Sequence, residues 1–182
     1  SKSAAGLADE TVARPLPRPA ADPHEYFRAW MTEGKDAHLA DDFPAATFFE
    51  IERSFWADRK RENVLLVHYN DLKADLPGEM GRIASFLGID LSAQKLAELA
   101  EAASFSFMRE NGARLMPRAA NAWDKGSDRF FNKGTNARWR GVLTADDLAR
   151  YACRVRRETS PALAAWLEYG RLKTRDPREA ED

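Results

Sequence analysis

NVLLVHY, residues 63–69, is the stretch on which the fold reading turns. Val64, Leu65, Leu66 and Val67 form an unbroken apolar run, the pattern of a strand covered on both faces. Such a strand normally sits in a parallel sheet flanked by helices. No other segment of the chain reads as a convincing partner strand. The backbone N–H and C=O groups of a doubly buried strand need neighbours, so its partners are either cryptic in this sequence or absent from it.

The segments on either side read as helices. Upstream, residues 1–23 carry four prolines and little periodicity, the composition of a linker or extended arm. Asp22-Pro23 is an N-cap followed by proline at the first helical position, and opens a helix that Gly34 should stop. A second helix from about 43 to 59 places Phe48, Ile51, Phe55 and Trp56 at helical spacing. Beyond the strand, Met80, Ile83, Ala84 and Leu87 line one face of a helix ending at Gly88. Ser92 caps the next helix, and Thr144 caps one with acids in its first turn, bases in its last, and a stripe of Leu148, Tyr151, Ala152 and Val155. Ser160-Pro161 opens a final helix ending at Gly170, and the charged residues after it read as a frayed tail. The expected organisation is an arm (1–22), one folded body (23–170) and a charged tail (171–182). The expected class is α/β, mostly helical, with one clear buried strand at 63–69.

Composition narrows the function. With 182 residues and 44% hydrophobic content, the chain is one domain able to bury a core. A net charge of -1 excludes a wholesale polyanion binder, so any anion site must be a local patch. The single cysteine, Cys153, cannot form an internal disulfide, which fits a reducing, cytoplasmic setting; its helical context reads as packed. No apolar run approaches the ~18 residues of a membrane span, and no signal peptide is apparent. His24, His38 and His68 lack ligand spacing, so no metal site is expected. No nucleophile motif is present. His68, at the strand end, reads as a satisfied structural histidine, and Asp41-Asp42 and Asp146-Asp147 as helix-start acids.

RFFNKGTNARWRGVLT, residues 129–144, stands apart. Between Arg109 and Arg140 there are eight cations and three acids, a local excess that can hold a phosphate. Gly134 permits a close backbone approach and positive φ. Lys133 supplies a compact charge with three donors, and successive N–H groups in such a turn form an anion-binding nest. Phe130 and Phe131 provide a flat wall for a base. On spacing alone, a solvated loop anchored by its aromatics explains the segment as well.

At these residues the chain resembles the cytosolic-type sulfotransferases. FFNKGTNARWRGVLT resembles their C-terminal signature, F-x-R-K-G-x-x-G-D-W-K-x-x-F-T. NVLLVHYNDLKADLPGEMGRIASFLGI resembles their strand, Tyr-Glu-Asp-Leu/Met-Lys turn and following helix, and AASFSFMREN their T-S-F-x-x-M-K-x-N segment. The resemblance runs from about 22 to 169. It implies a P-loop-NTPase-like α/β fold and transfer of a sulfuryl group from 3′-phosphoadenosine 5′-phosphosulfate (PAPS) to a hydroxyl or amine of a small-molecule acceptor, without a metal. By position, Lys133 and Gly134 would bind the nucleotide 3′-phosphate, Phe130 and Phe131 would lie beside the nucleotide, and Tyr69 and Phe105 near adenine. Asn132 stands where the family has Arg, which removes a bidentate charged contact. Ala103 stands where the family often has Thr. Trp139 would pack behind the loop, and Ala137-Arg138 replace Gly-Asp. Ala149 stands where the dimer motif wants Glu, so the usual dimer is not inferred.

The resemblance also exposes a gap. None of the ten glycines fits a P-loop, GxxxxGK[ST] or the family's P-K-S-G-T-T, and neither the family's catalytic His nor its Arg/Ser cofactor contact is found. The chain therefore reads as a C-terminal portion that holds the adenosine 3′-phosphate end, with the N-terminal half of the domain as its missing partner, and no turnover is expected from it alone. A kinase-like nucleotide-binding protein preferring ATP and Mg²⁺, and a non-catalytic helical interaction module whose basic loop contacts a partner, remain open at this point. Neither nucleic acid nor membrane is the expected partner.

Overall fold

The computed structural model describes residues 21–33, 47–117, 130–131 and 134–182. It divides into two compact units, one up to Phe48 and one from Phe49 to Asp182. In the smaller unit, α1 (Pro23–Glu33) begins as its sequence dictates: the Asp22 carboxylate accepts from the His24 N–H at 2.9 Å, and Pro23 follows the cap. Met31 is buried, Phe27 lies 5.9 Å from Trp30, and Trp30 lies 5.4 Å from Phe48. The residue expected to stop this helix, Gly34, and the first residues expected in the next lie outside the described residues.

The larger unit is helical. α2 (Phe48–Ala57) buries Phe49 and Trp56, seven residues apart, while Ile51 and Phe55 remain 44% and 57% exposed. Of the four residues read at helical spacing, Trp56 is buried while Ile51 and Phe55 are not. The apolar periodicity is present, but Phe49 packs 6.3 Å from Tyr151 and Trp56 5.9 Å from Trp166, and those partners select the face.

The segment expected to be a strand is not one: residues 64–68 belong to no sheet, and no strand occurs among the described residues. They are half-buried rather than covered on both faces. A strand is defined by a neighbouring backbone, and here side chains take that place. The Leu66 carbonyl accepts from Arg82 Nη2 at 2.9 Å, and the Val64 carbonyl from Arg178 Nη2 at 2.8 Å.

α3 (Tyr69–Ala74) and α4 (Leu76–Phe86) follow with hardly a break, because Asp75 ends one and caps the other. Its Oδ1 accepts from the Gly78 N–H at 3.0 Å. Ala84 is buried on α4, whereas Leu87 is exposed just beyond the helix, and Gly88 turns the chain with φ of 66°. α5 (Ala93–Ala102) is capped by Ser92, α6 (Phe105–Glu110) by Ser104, and the single turn α7 (Gly112–Leu115) completes this group. α8 (Ala145–Glu158) carries a full capping box, Thr144 Oγ1 accepting from the Asp147 N–H while Asp147 Oδ2 accepts from Thr144. Cys153 is exposed on this helix, not packed as its neighbours suggest. α9 (Pro161–Tyr169) is capped by Ser160 and ends at Gly170, with φ of 80°.

The core lies between α2, α9 and the C-terminal residues: Trp56, Leu163, Trp166 and Ala180, with Leu66, Ala162 and Leu167 against them. Residues 171–182 are therefore not a frayed tail. They form two 3-10 turns, Arg171–Lys173 and Pro177–Glu179, with Pro177 and Ala180 buried. The buried Arg59 guanidinium explains the anchoring. It donates to the carbonyls of Trp56, Pro177 and Ala180 and pairs with Asp182 at 2.9 Å.

Candidate functional site

Three short pieces converge on Gly134. α3 brings Tyr69 and Lys73, α6 brings Phe105, and the residues beside Gly134 in sequence bring Phe130 and Phe131. The α5–α6 junction is tight. Ala103 ends α5 with its N–H on the Leu99 carbonyl, and Ser104 caps α6 by accepting from the Phe107 N–H at 3.2 Å. This two-residue turn swings Phe105 under the loop.

Gly134 adopts φ of 61°, the left-handed region that a side chain disfavours. A Cβ there would also sit 3.0 Å from three atoms of the Phe105 ring. The backbone thus rests directly on an aromatic face, for two independent reasons that require glycine. Phe131 is buried, with its ring 6.4 Å from Phe105 and 5.0 Å from Phe130, both edge-to-face. Phe130 is exposed. The Arg109 guanidinium lies 5.8 Å over the Phe105 ring. Tyr69 is 55% exposed, and the Lys73 ammonium lies 5.9 Å over its ring. The structure therefore gathers Phe105, Phe130, Phe131 and Gly134 into one cluster, with Tyr69 on the adjoining helix and Ala103 two residues before Phe105. Asn132 and Lys133 lie outside the described residues.

One residue of the segment differs from the sequence reading, and another settles a turn that reading left open. Trp139, expected to pack behind the loop, is 46% exposed with the Arg140 guanidinium 5.6 Å from its ring. Ala137 has φ of 60°, the one positive φ at a non-glycine among the described residues. The left-handed turn survives there without glycine.

Behind the cluster, α3 is held by buried charge. Asp71 is 1% exposed and accepts from the N–H groups of Arg171 at 2.7 Å and Leu172 at 3.1 Å. Glu79, equally buried, pairs with Arg82 at 2.7 Å and Arg171 at 2.5 Å. Burial pushes the Glu79 carboxyl up, but the hydrogen bonds from the two guanidinium groups outweigh it and hold the carboxyl below 4.5. His68 has the structural role expected. Its Nδ1 accepts from the Asn70 N–H at 3.1 Å, leaving Nε2 to donate to the Leu167 carbonyl at 3.0 Å. Both ring nitrogens are used, and no free base remains. Nearby, burial raises the Glu52 carboxyl above its ordinary range. Among the described residues, no three His, Cys, Asp or Glu side chains gather as a metal would require.

The sequence reading missed Lys73 and Asn70 as site residues. Lys73 Nζ donates to the Gly134 carbonyl at 2.7 Å, and Asn136 Nδ2 donates to Asn70 Oδ1 at 2.5 Å. A signal was present, since Tyr69 and Lys73 stand four residues apart on one helix and so share a face. Their target lies 61 residues away and could not be read from spacing.

The model of the sulfotransferase domain family matches residues 17–160. A glycolipid sulfotransferase of Mycobacterium bovis (strain BCG / Pasteur 1173P2) is 32% identical over 160 residues, covering 84% of this chain and 49% of that protein. A 3-alpha-hydroxysteroid sulfotransferase of Cavia porcellus is 30% identical over 66% of this chain and 39% of its own length. The chain thus spans about half the length, or less, of these relatives. Mouse sulfotransferase SULT7A1, solved with PAP, shares the fold at a TM-score of 0.61 and 20% identity, over 79% of this chain and 49% of that one. Retinol dehydratase, solved with retinol and PAP, matches at a TM-score of 0.55 and 27% identity, over 65% of this chain and 35% of that one. With residues 17–160 matched by the family model, the chain belongs to the sulfotransferase family.

Proposed function

We propose that this chain forms the adenosine 3′-phosphate end of a PAPS site, in a sulfotransferase that moves a sulfuryl group onto a hydroxyl of a small-molecule acceptor. The observation that carries the reading is Gly134, held at positive φ against the Phe105 ring. A backbone without a side chain, flanked by aromatic faces and preceded in sequence by Lys133, fits a phosphate beside a purine. The PAP named in two of the related structures supports the same ligand. PAPS, when bound, supplies the activated sulfuryl group. The residues of this chain would orient it: Lys133 and the Gly134 backbone on the 3′-phosphate, with Phe105, Phe130, Phe131 and Tyr69 along the purine. Asn132 contributes a neutral contact where the family has a charge.

Acceptors with an apolar body suit the glycolipid and steroid named in two relatives. Turnover in the family uses a P-loop and a catalytic His that find no counterpart in this sequence, so the reading predicts binding by the 182 residues without catalysis. A cytoplasmic setting belongs to the proposal and rests on the single, exposed, unpaired Cys153.

Calorimetric titration of the chain with 3′-phosphoadenosine 5′-phosphate (PAP), with ATP as comparator, tests the reading. Saturable binding of PAP that ATP does not match supports it. Equal affinity for ATP, or no binding of PAP, overturns the assignment of a 3′-phosphate site to this chain. Lys133→Ala should weaken PAP binding by about tenfold or more, the worth of one charge-assisted contact of about 1.5–3 kcal/mol. An unchanged affinity would assign Lys133 to a merely solvated loop.

A further inference from the structure

We infer that Lys73 is a positioning residue for the 3′-phosphate loop: through the Gly134 carbonyl, it sets the direction in which the Gly134–Thr135 peptide presents its N–H group. The inference rests on the nucleotide reading above and adds a residue that this reading did not contain.

An anion-binding turn works only if its N–H groups, and not its carbonyl oxygens, face the anion. In a trans peptide the C=O and the following N–H point in opposite directions. Lys73 Nζ holds the Gly134 oxygen at 2.7 Å, so the Thr135 N–H of the same peptide is turned away from α3. Gly134 needs such a tether more than another residue would, because glycine has the widest choice of backbone conformations. The tether has a second leg, since Asn136 Nδ2 donates to Asn70 Oδ1 at 2.5 Å. Residues 134 and 136 are thus both gripped by α3, while the Phe105 ring closes the other approach to Gly134.

Lys73 is itself guided. It lies 5.9 Å over the Tyr69 ring, and α3 is fixed from behind. Asp71 holds the N–H groups of Arg171 and Leu172, and Asn70 Nδ2 donates to the Glu168 carbonyl at 3.1 Å. The anchor of the loop is therefore tied to a segment lying beyond residue 160, where the family model ends. Lys73 makes no ion pair among the described residues, so its charge is left to the carbonyl and the ring.

The test uses the 182-residue chain and its Lys73→Met and Lys73→Arg variants. Each is titrated with PAP and with adenosine 5′-monophosphate, which offers the same purine without the 3′-phosphate, and the Thr135 amide resonance is followed in the unliganded proteins. Lys73→Met should lose about tenfold in PAP affinity and less than twofold in adenosine 5′-monophosphate affinity, with its melting temperature unchanged. The Thr135 amide resonance should shift, because the carbonyl of its own peptide loses its donor. Lys73→Arg should restore both readouts, because it keeps a charged donor. A Met variant that retains wild-type preference for PAP, or an equal loss for both nucleotides, overturns the positioning role while leaving the site reading intact. Failure of the wild-type chain to bind PAP overturns the site reading itself, and the role of Lys73 with it.

Discussion

Ala137 holds φ of 60° in the turn that follows Gly134. For an alanine this conformation costs about 1 kcal/mol relative to glycine. The cost persists because neighbouring bonds close the turn, the Arg140 N–H reaching the Ala137 carbonyl at 3.1 Å. Ala137→Gly should therefore stabilise the protein by about 0.5–1 kcal/mol, less the entropy that glycine returns to the unfolded chain. A urea midpoint at or below that of wild type would refute this. Gly134 is the opposite case, with positive φ and a ring at Cβ distance, so both strain and clash meet any substitution. The need for glycine at 134 was legible in the sequence because Lys-Gly turns have a local grammar. The strain at 137 was legible only as a departure from the family pattern, since alanine carries no mark of the conformation imposed on it.

At the scale of elements, α3 joins the loop to the C-terminal segment. Its six residues could not hold a helix alone, and a short helix in water is marginal even with good formers. Asp71 supplies the missing stability by accepting two backbone N–H groups while 1% exposed. Asp71→Ala would strand both donors and should destabilise by about 3 kcal/mol, at roughly 1–3 kcal/mol per unsatisfied buried group. Gly170 belongs to the same joint, as a Cβ there would meet Asp71 Oδ1 at 2.6 Å. Glu79 adds a pH signature. Its native carboxyl titrates below its ordinary 4.5, so its contribution is complete above that value and disappears as pH falls through the lowered native one. The stability gap between wild type and Glu79→Gln should thus be constant from pH 7 to about 5 and close below 4.5. Chemical denaturation at each pH checks this, and a gap that widens on acidification would contradict the sign.

Across the larger unit, the C-terminal residues behave as a strap over the tryptophan core. Arg59 and Arg178 reach them or reach from them, and Trp56 Nε1 and Ser160 Oγ both donate to Asp182 Oδ1, at 2.9 and 2.8 Å. Those bonds, with the Arg59 charge, hold the Asp182 carboxyl below its ordinary range. Removing residues 174–182 should leave the buried Arg59 without Pro177, Ala180 and Asp182 and uncover Trp56 and Trp166. The expected loss is about 3–5 kcal/mol, the usual cost of stranding a buried charge. A red shift of tryptophan emission should accompany it, and a truncated chain that melts with wild type would show that the strap is decorative.

What the sequence determined by itself was local. Ser92, Thr144, Ser160-Pro161, Gly88 and Gly170 all bound helices as read, because a cap is a bond between residues about three apart and needs no partner from elsewhere. The loop motif was legible for the same reason. Tertiary structure decided the rest. Only the positions of Tyr151 and Trp166 chose which face of α2 is buried, and Cys153 fell on the side left open. Residues 64–68 carry every local mark of a strand, yet a strand exists only where a second backbone lies alongside, about 4.8 Å away. Here two guanidinium groups take that place for Val64 and Leu66, one arriving from 114 residues downstream. The bond from Lys73 to Gly134 is of the same kind: each partner is ordinary in its own stretch, and only the packing of α3 against the loop brings them within 2.7 Å.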